Sequence, residues 1–126
     1  MASIKITGIR FDRQEGLSDY HEFDLDDIFF VTSFKAPNTS NRSLVFHTRF
    51  GKFHPISTLE QIREEWGIYG FIALDTVNVV NVKHIKYIEK SIFWIRAYFE
   101  DGSFTTVSRP RYHLVKDLPG KTIHSG

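Results

Sequence analysis

The strongest local folding signal in the chain is an Asp-Gly pair, Asp101-Gly102, which follows a segment of alternating side chains. In residues 92–99, successive side chains face opposite sides of a predicted strand. One face carries Phe93, Ile95, Ala97 and Phe99, and the other carries Trp94, Arg96 and Tyr98. The Asp-Gly pair supplies the positive φ angles of a tight hairpin turn, and residues 104–107 return the chain. The second face is interpreted as buried between packed sheets, with a dimer or partner surface as the alternative.

The same local signals predict further strands and one helix. Strands are predicted over residues 4–11, 27–34, 43–49, 52–56 and 83–90, with a polar loop over residues 35–42. The helix begins at Ser57 or Thr58, each followed by a capping-box residue, and ends at Gly67. Pro110 favours a short terminal helix through Lys116. The predicted fold class is mostly β, with layered short antiparallel sheets, one central helix and a short C-terminal helix.

Charge is distributed unevenly along a chain of 126 residues whose net charge is only +1. Residues 1–34 carry three basic and seven acidic residues, whereas residues 83–126 carry eight basic and four acidic residues. No segment reaches the roughly 20 apolar residues of a membrane span, and the first residues lack a signal-peptide core. The absence of cysteine excludes disulfides and Cys-based zinc sites. We expect a single domain over residues 1–126, in the cytoplasm and without a membrane partner.

Patterns for catalysis, cofactors or metals are lacking in the sequence. The six histidines form no HxH or HxxxH pair. His47 and His54 could face each other across the Phe50-Gly51 turn, but a chance surface pair is the favoured interpretation. No Ser or Thr lies in a recognisable nucleophile turn, and there is no Gly-rich phosphate loop. The sequence therefore predicts no enzyme, no cofactor and no metal site.

Three landmarks in residues 58–118 resemble the LytTR family, the output domains of many bacterial response regulators. The helix TLEQIREEW is followed by Phe71 at the usual spacing. The segment VVNVKHIKYIE places Val80-Asn81 and Ile85 at the family's most regular positions, and VSRPRYHLVKDL matches the junction of the last strand with a basic helix. With FDLDDIFFVTS and the loop and hairpin after it, the resemblance covers about residues 23–118.

The resemblance implies a domain that binds the major groove of duplex DNA through loops between strands. By position, base contacts are implied for Arg42 in the first loop, Thr76 in the loop after Phe71, and Arg109 at the last strand–helix junction. Phosphate contacts are predicted for Asn41, Lys83, Ser108 and Arg111. DNA targets of the family are typically paired repeats, so two copies are expected on one site.

The residue types support DNA binding independently of the family. Arginine forms two hydrogen bonds with guanine, the commonest specific base contact. Arg42 follows a run of short polar residues, and Arg109 and Arg111 flank Pro110 at a predicted helix start, where free N–H groups favour phosphate. Without the resemblance, ordinary solvated charges on a balanced surface are the favoured interpretation.

The sequence thus predicts a bacterial transcription regulator that binds promoter DNA. Because the chain begins close to the first strand, we expect no receiver domain, and control through abundance, a partner protein or a ligand. The alternative is a LytTR-like module that has lost DNA affinity and binds itself or another protein, for instance as an antagonist of a related regulator. Ala73, Asp75 and the acidic amino-terminal segment favour the alternative. Arg42, Arg109 and Arg111 favour DNA.

Overall fold

Short strands in two sheets make up most of the computed structural model, which describes residues 4–11, 20–35, 42–54 and 65–123. The first sheet contains β1 (Lys5–Arg10), β2 (Tyr20–Asp24), β3 (Ile28–Lys35), β4 (Arg42–Thr48), β5 (Gly51–His54), β6 (Phe71–Ala73) and β7 (Asn78–Asn81). Its order is β2-β1-β5-β4-β3-β7-β6, with antiparallel pairing throughout. The predicted mostly β fold of antiparallel sheets is confirmed.

The second sheet is smaller and contains one parallel pair. It consists of β8 (Tyr87–Lys90), β9 (Ile95–Tyr98), β10 (Phe104–Thr106) and β11 (Gly120–Thr122), in the order β10-β9-β8-β11. Strand β11 runs parallel to β8, and the other two pairs are antiparallel. Among the described residues, no helix has both the length and the apolar character needed to cross a membrane.

Strand β3 contributes to the cores on both faces of the first sheet. The register with β4 shifts between Ile28 and Phe30, so that Phe29 and Phe30 both pack in the core that holds the apolar residues of the second sheet. Ile28 and Val31 pack in the other core, which includes Trp66. Asn81 is fully buried and donates a hydrogen bond to the carbonyl of Ile28 at 3.2 Å, beside the register shift.

Local turn chemistry explains the two tight hairpins. Gly51, the first residue of β5, has φ 116°, and Gly102, between β9 and β10, has φ 84°, a region that side chains disfavour. Both predicted hairpins are therefore confirmed. In the first of them, His47 pairs with Lys52, so His47 and His54 do not face each other across the turn.

Several predicted boundaries are wrong because short turns interrupt the strands. Residues Val82–His84 form a 3-10 turn, and the strand predicted from residue 83 begins at Tyr87. The next strand begins at Ile95, because the Ser91 hydroxyl accepts hydrogen bonds from the amides of Phe93 and Trp94 and holds residues 92–94 in a turn. Phe93 is therefore exposed and does not share the buried face of Ile95.

The predicted helices also need correction. Most of the central helix lies in residues 55–64, outside the described residues. The described α-helical residues end at Trp66, directly before the predicted stop at Gly67, and a 3-10 turn over Gly67–Tyr69 then leads to the left-handed Gly70, with φ 91°. The C-terminal helix is a 3-10 helix, Arg109–Leu114, with proline in its first turn.

The outer face of β9 is half-buried rather than fully enclosed. The guanidinium of Arg96 lies 4.0 Å from the ring centre of Trp94 and 4.4 Å from that of Phe104. Tyr98 stacks on Tyr87 with ring centres 4.8 Å apart. The face is therefore a cation–aromatic layer whose members pack on one another.

Candidate nucleic-acid interface

The turn between β6 and β7, residues 74–77, lies beside the end of the β3–β4 pair. The amide of Ser33 donates a hydrogen bond to the carbonyl of Val77 at 2.7 Å. Two residues further along β3, Lys35 pairs with Arg42, the first residue of β4. The loop that precedes Arg42 therefore starts from the same edge of the sheet as the turn that carries the exposed Thr76.

The junction after β10 adjoins the same turn from its other side. The amide of Ser108 donates a hydrogen bond to the carbonyl of Leu74 at 2.8 Å. Ser108 is the residue before the 3-10 helix that begins at Arg109. Three segments that are distant in sequence thus meet at one edge of the molecule. We call this the loop edge, made of Arg42, residues 74–77 and residues 107–111.

Asp75 organises the central turn of the loop edge. Its Oδ1 accepts hydrogen bonds from the amides of Val77 at 2.8 Å and Asn78 at 2.7 Å. Its Oδ2 accepts from the Asn78 side-chain amide at 2.7 Å and from the Thr106 hydroxyl. The carboxylate is therefore a structural acceptor. Its bonds to the amides two and three residues later form an Asx turn, and an Asp at the start of a short turn is the sequence signal for this motif.

This network extends into β3 on the other side. The hydroxyl of Thr32 donates a hydrogen bond to Oδ1 of Asn78 at 2.7 Å, while Nδ2 of Asn78 donates to Asp75. Asn78 is buried. Since Thr106 belongs to β10, this network joins the first sheet to the second directly under the turn that presents Thr76. Its side chains are those of Thr32, Asn78, Asp75 and Thr106.

Arg109 is exposed but tethered at the loop edge. Its Nη2 donates hydrogen bonds to the carbonyl of Ile92 at 2.7 Å and to that of Ser91 at 3.3 Å. A guanidinium carries five N–H donors, so Nε and Nη1 supply three more. Both parallel N–H pairs of a guanidinium, Nε with Nη2 and Nη1 with Nη2, include Nη2. Two-pronged binding of a guanine therefore requires Nη2 to give up one of its two bonds, and the longer one, to Ser91, is the weaker.

The predicted phosphate contacts are placed differently from one another. Ser108 lies at the loop edge, and the half-buried Arg111 follows one turn into the 3-10 helix, where its amide donates to the Ser108 carbonyl at 3.0 Å. Asn41 lies outside the described residues, and of Arg42 only the backbone is described. The DNA contacts assigned to Arg42, Arg109 and Arg111 therefore stay predictions.

Lys83 lies at the opposite end of β7 from Thr76. Strand β7 separates them by about 10 Å along its axis, at ~3.3 Å per residue. The Lys83 ammonium forms an ion pair with Asp26, and the neighbouring His84 ring bonds the Asp26 carbonyl at 2.5 Å. The structure therefore does not bring Lys83 together with the other predicted contact residues.

The loop between β8 and β9, residues 91–94, is a fourth segment beside Arg109 that the sequence pattern did not reveal. Continuous alternation in residues 92–99 predicted a strand there. The signal that could have identified it is Ser91, whose hydroxyl accepts two amide hydrogens in the manner of a serine turn.

A groove of about 610 Å³ lies between the two sheets; it is lined in part by His47, Lys52 and Asp101, and also by Asn78 and Thr106 from beneath the Thr76 turn. His47 stacks on Phe30 with ring centres 4.1 Å apart. Burial, with a smaller contribution from nearby Lys52, lowers the pKa of His47 to about 4. The charged residues that line the groove, Lys52 and Asp101, have opposite signs. Among the described residues, no three side chains that could hold a metal ion lie together.

The described residues form a β-rich domain in which three loop segments meet at one edge. Residues 18–119 match the family of LytTr DNA-binding domains, and the chain belongs to that family. Its fold is similar to that of the LytTr DNA-binding domain of a Bacillus cereus response regulator, with a TM-score of 0.65 and 13% sequence identity. That match covers 92% of this chain and 95% of the other. No curated protein matches the chain.

The expected family membership is therefore confirmed. The family is one of DNA-binding domains rather than of enzymes, which makes DNA the partner of first interest.

Proposed function

We propose that the loop edge binds duplex DNA sequence-specifically in the major groove and that the chain acts as a transcription regulator. Membership of a family of DNA-binding domains supports the DNA partner. The observation that carries the finer proposal is the convergence of three separate segments, joined by the Ser33–Val77 and Ser108–Leu74 hydrogen bonds. In this proposal, the loops of this edge enter successive parts of the groove without a recognition helix.

In this proposal, Arg42 and Arg109 each recognise a base pair from the outer segments of the edge. Each two-pronged arginine–guanine contact contributes about 1–3 kcal/mol of discrimination. Thr76 lies between them, and its short side chain makes a smaller base contact. Asn41, Ser108 and Arg111 bind phosphates, which fix the domain's position on the duplex without reading sequence. Lys83 is left out because of its position and its ion pair with Asp26.

The alternative of a protein-interaction module drew support from Asp75, whose charge would repel phosphate. Because both carboxylate oxygens of Asp75 accept hydrogen bonds within the turn, this residue has a structural explanation that is independent of any partner. We therefore favour DNA. By the resemblance, we also propose that two copies bind paired repeats.

The test is selection of bound duplexes from a random DNA pool, followed by affinity measurements over a range of salt concentrations. We expect enrichment of a defined motif and a linear fall of log affinity with log salt, with a slope of about −0.9 per neutralised phosphate. Arg109→Ala should bind the motif more weakly and lose preference at one base pair.

The matched control is Arg49→Ala, which removes an equal charge at the opposite end of β4, where Arg49 pairs with Asp27. Equal losses in the two variants would indicate general electrostatic attraction. Failure to enrich any motif would contradict the proposal and favour the protein-interaction module, and a one-to-one complex on every selected duplex would contradict paired repeats.

A further inference from the structure

Two large apolar side chains are exposed beside Arg109. In the loop between β8 and β9, Ile92 is 67% exposed and Phe93 is 72% exposed. The loop is held in place, because the Ser91 hydroxyl accepts the amides of Phe93 and Trp94, both at 3.0 Å. Adjacent apolar side chains on an ordered loop indicate a contact surface.

The loop is attached to the strand–helix junction at both of its ends. Arg109 donates hydrogen bonds to the carbonyls of Ser91 and Ile92, and the amide of Val107 donates to the carbonyl of Ile95 at 2.8 Å. Ile92 and Phe93 therefore keep a fixed position relative to the arginine that we propose reads a base.

Charge around the loop favours a polyanion over a protein surface. A small cleft beside Ile92 is lined by Lys90, Ser91, Arg109, Thr122 and Ile123. Two of these side chains are cationic, and no carboxylate is among the described residues of the lining. Cationic groups next to exposed apolar ones match a DNA groove, where phosphates lie beside base edges.

We propose that Ile92 and Phe93 contact thymine methyl groups in the major groove, next to the base pair that Arg109 reads. This inference rests on the proposed function and adds an apolar base contact to the hydrogen-bonded ones. Thymine is the base that presents a methyl group in the major groove, and apolar side chains recognise it. Both side chains are largely exposed without DNA, so the contact removes apolar surface of both partners from water.

The test replaces each thymine of a selected duplex by deoxyuridine, which removes the methyl group and leaves base pairing intact. Binding of the wild type is compared with that of Phe93→Ser and Ile92→Ser. The base pair that Arg109 reads is the one at which Arg109→Ala loses discrimination. The thymine tested is the one in the neighbouring base pair.

We expect deoxyuridine at that position to weaken wild-type binding about fourfold, the effect of one buried methyl group. Phe93→Ser or Ile92→Ser should bind the thymine duplex at least that much more weakly and no longer respond to deoxyuridine. Unchanged thermal midpoints verify that the variants fold. The matched control is Ile68→Ser, at a position that is 82% exposed at the other end of the first sheet, and it should bind as the wild type does.

If all deoxyuridine duplexes bind like thymine duplexes, or if both serine variants bind like the wild type while Arg109→Ala is weakened, the thymine contact is wrong and the proposed function stands. If the wild type selects no motif at all, both are overturned.

Discussion

Replacement of Asp75 by alanine tests whether this carboxylate is a structural acceptor or an electrostatic barrier to DNA. The substitution removes the acceptor for four hydrogen bonds, two of them from the backbone amides of Val77 and Asn78. Asn78 is only 7% exposed, so its amide loses a partner with little access to water.

The magnitude follows from these bonds. A hydrogen bond to a charged acceptor contributes about 1.5–3 kcal/mol, and the half-buried position of Asp75 favours the lower value for the two backbone bonds. The bonds from the Asn78 and Thr106 side chains add less, because water replaces part of them. We expect Asp75→Ala to lower the free energy of unfolding by about 3 kcal/mol, which is about 10 °C in the unfolding midpoint at ~3–4 °C per kcal/mol.

The assay is urea unfolding at neutral pH, with DNA affinity measured under conditions in which the variant is folded. Asp101→Ala is the matched control, since Asp101 also accepts from an amide two residues later, that of Ser103 at 2.9 Å, but in an exposed hairpin. Asp101→Ala should lower the free energy of unfolding by less than about 1 kcal/mol. A variant Asp75→Ala that is as stable as the wild type and binds DNA more tightly would refute the structural account and support the barrier.

Three other perturbations follow from the structure. Arg109→Ala and Arg42→Ala should each reduce specific affinity by about 1–3 kcal/mol at different base pairs, as fluorescence anisotropy on single-base variants of the selected duplex would show; an equal loss on every duplex would contradict base reading. For His47, burial lowers the pKa from 6.5 to about 4, so between these pH values the unfolded chain binds a proton that the folded chain excludes. Stability should therefore fall as the pH is lowered from about 6.5 towards 4, and a urea-unfolding series in which His47→Gln keeps the same dependence would contradict this assignment. Gly8→Ala should destabilise the fold by about 1–3 kcal/mol in thermal unfolding, because the added Cβ would lie 2.7 Å from Cβ of Phe53; an unchanged midpoint would mean that β1 moves away freely.

The sequence predicted those parts of the fold whose signals are local. The hairpin turns at Gly51 and Gly102 need positive φ angles, and glycine at these positions predicts the turns without information from the rest of the chain. Strands β7 and β11 were missed for the opposite reason. Strand β7, with the sequence NVVN, is buried along its whole length, and β11 has three exposed residues, so neither alternates between buried and exposed positions. Their conformation depends on the neighbours they pair with.

The candidate site shows the same limit. Residue chemistry and family position suggested Arg42, Thr76 and Arg109 separately, but their meeting at one edge depends on long-range hydrogen bonds from Ser33 and Ser108. Asp75 was interpreted through its charge, because its hydroxyl partner Thr106 lies 31 residues away in the sequence. Lys83 was grouped with the site by its charge alone, since its partner Asp26 is 57 residues distant.

The pairing of β3 with β7 has a consequence for how the domain acquires its activity. The hydrogen bond from Asn81 to Ile28 closes a separation of 53 residues, and the Thr32–Asn78 bond closes one of 46. Contacts of such long range form late and cooperatively during folding, because the entropy of chain closure is lost before the contacts compensate for it. The turn that carries Thr76 is thus completed only together with the sheet beneath it. A partly folded chain would have no partial version of the loop edge, so recognition would arise in a single step with the native state.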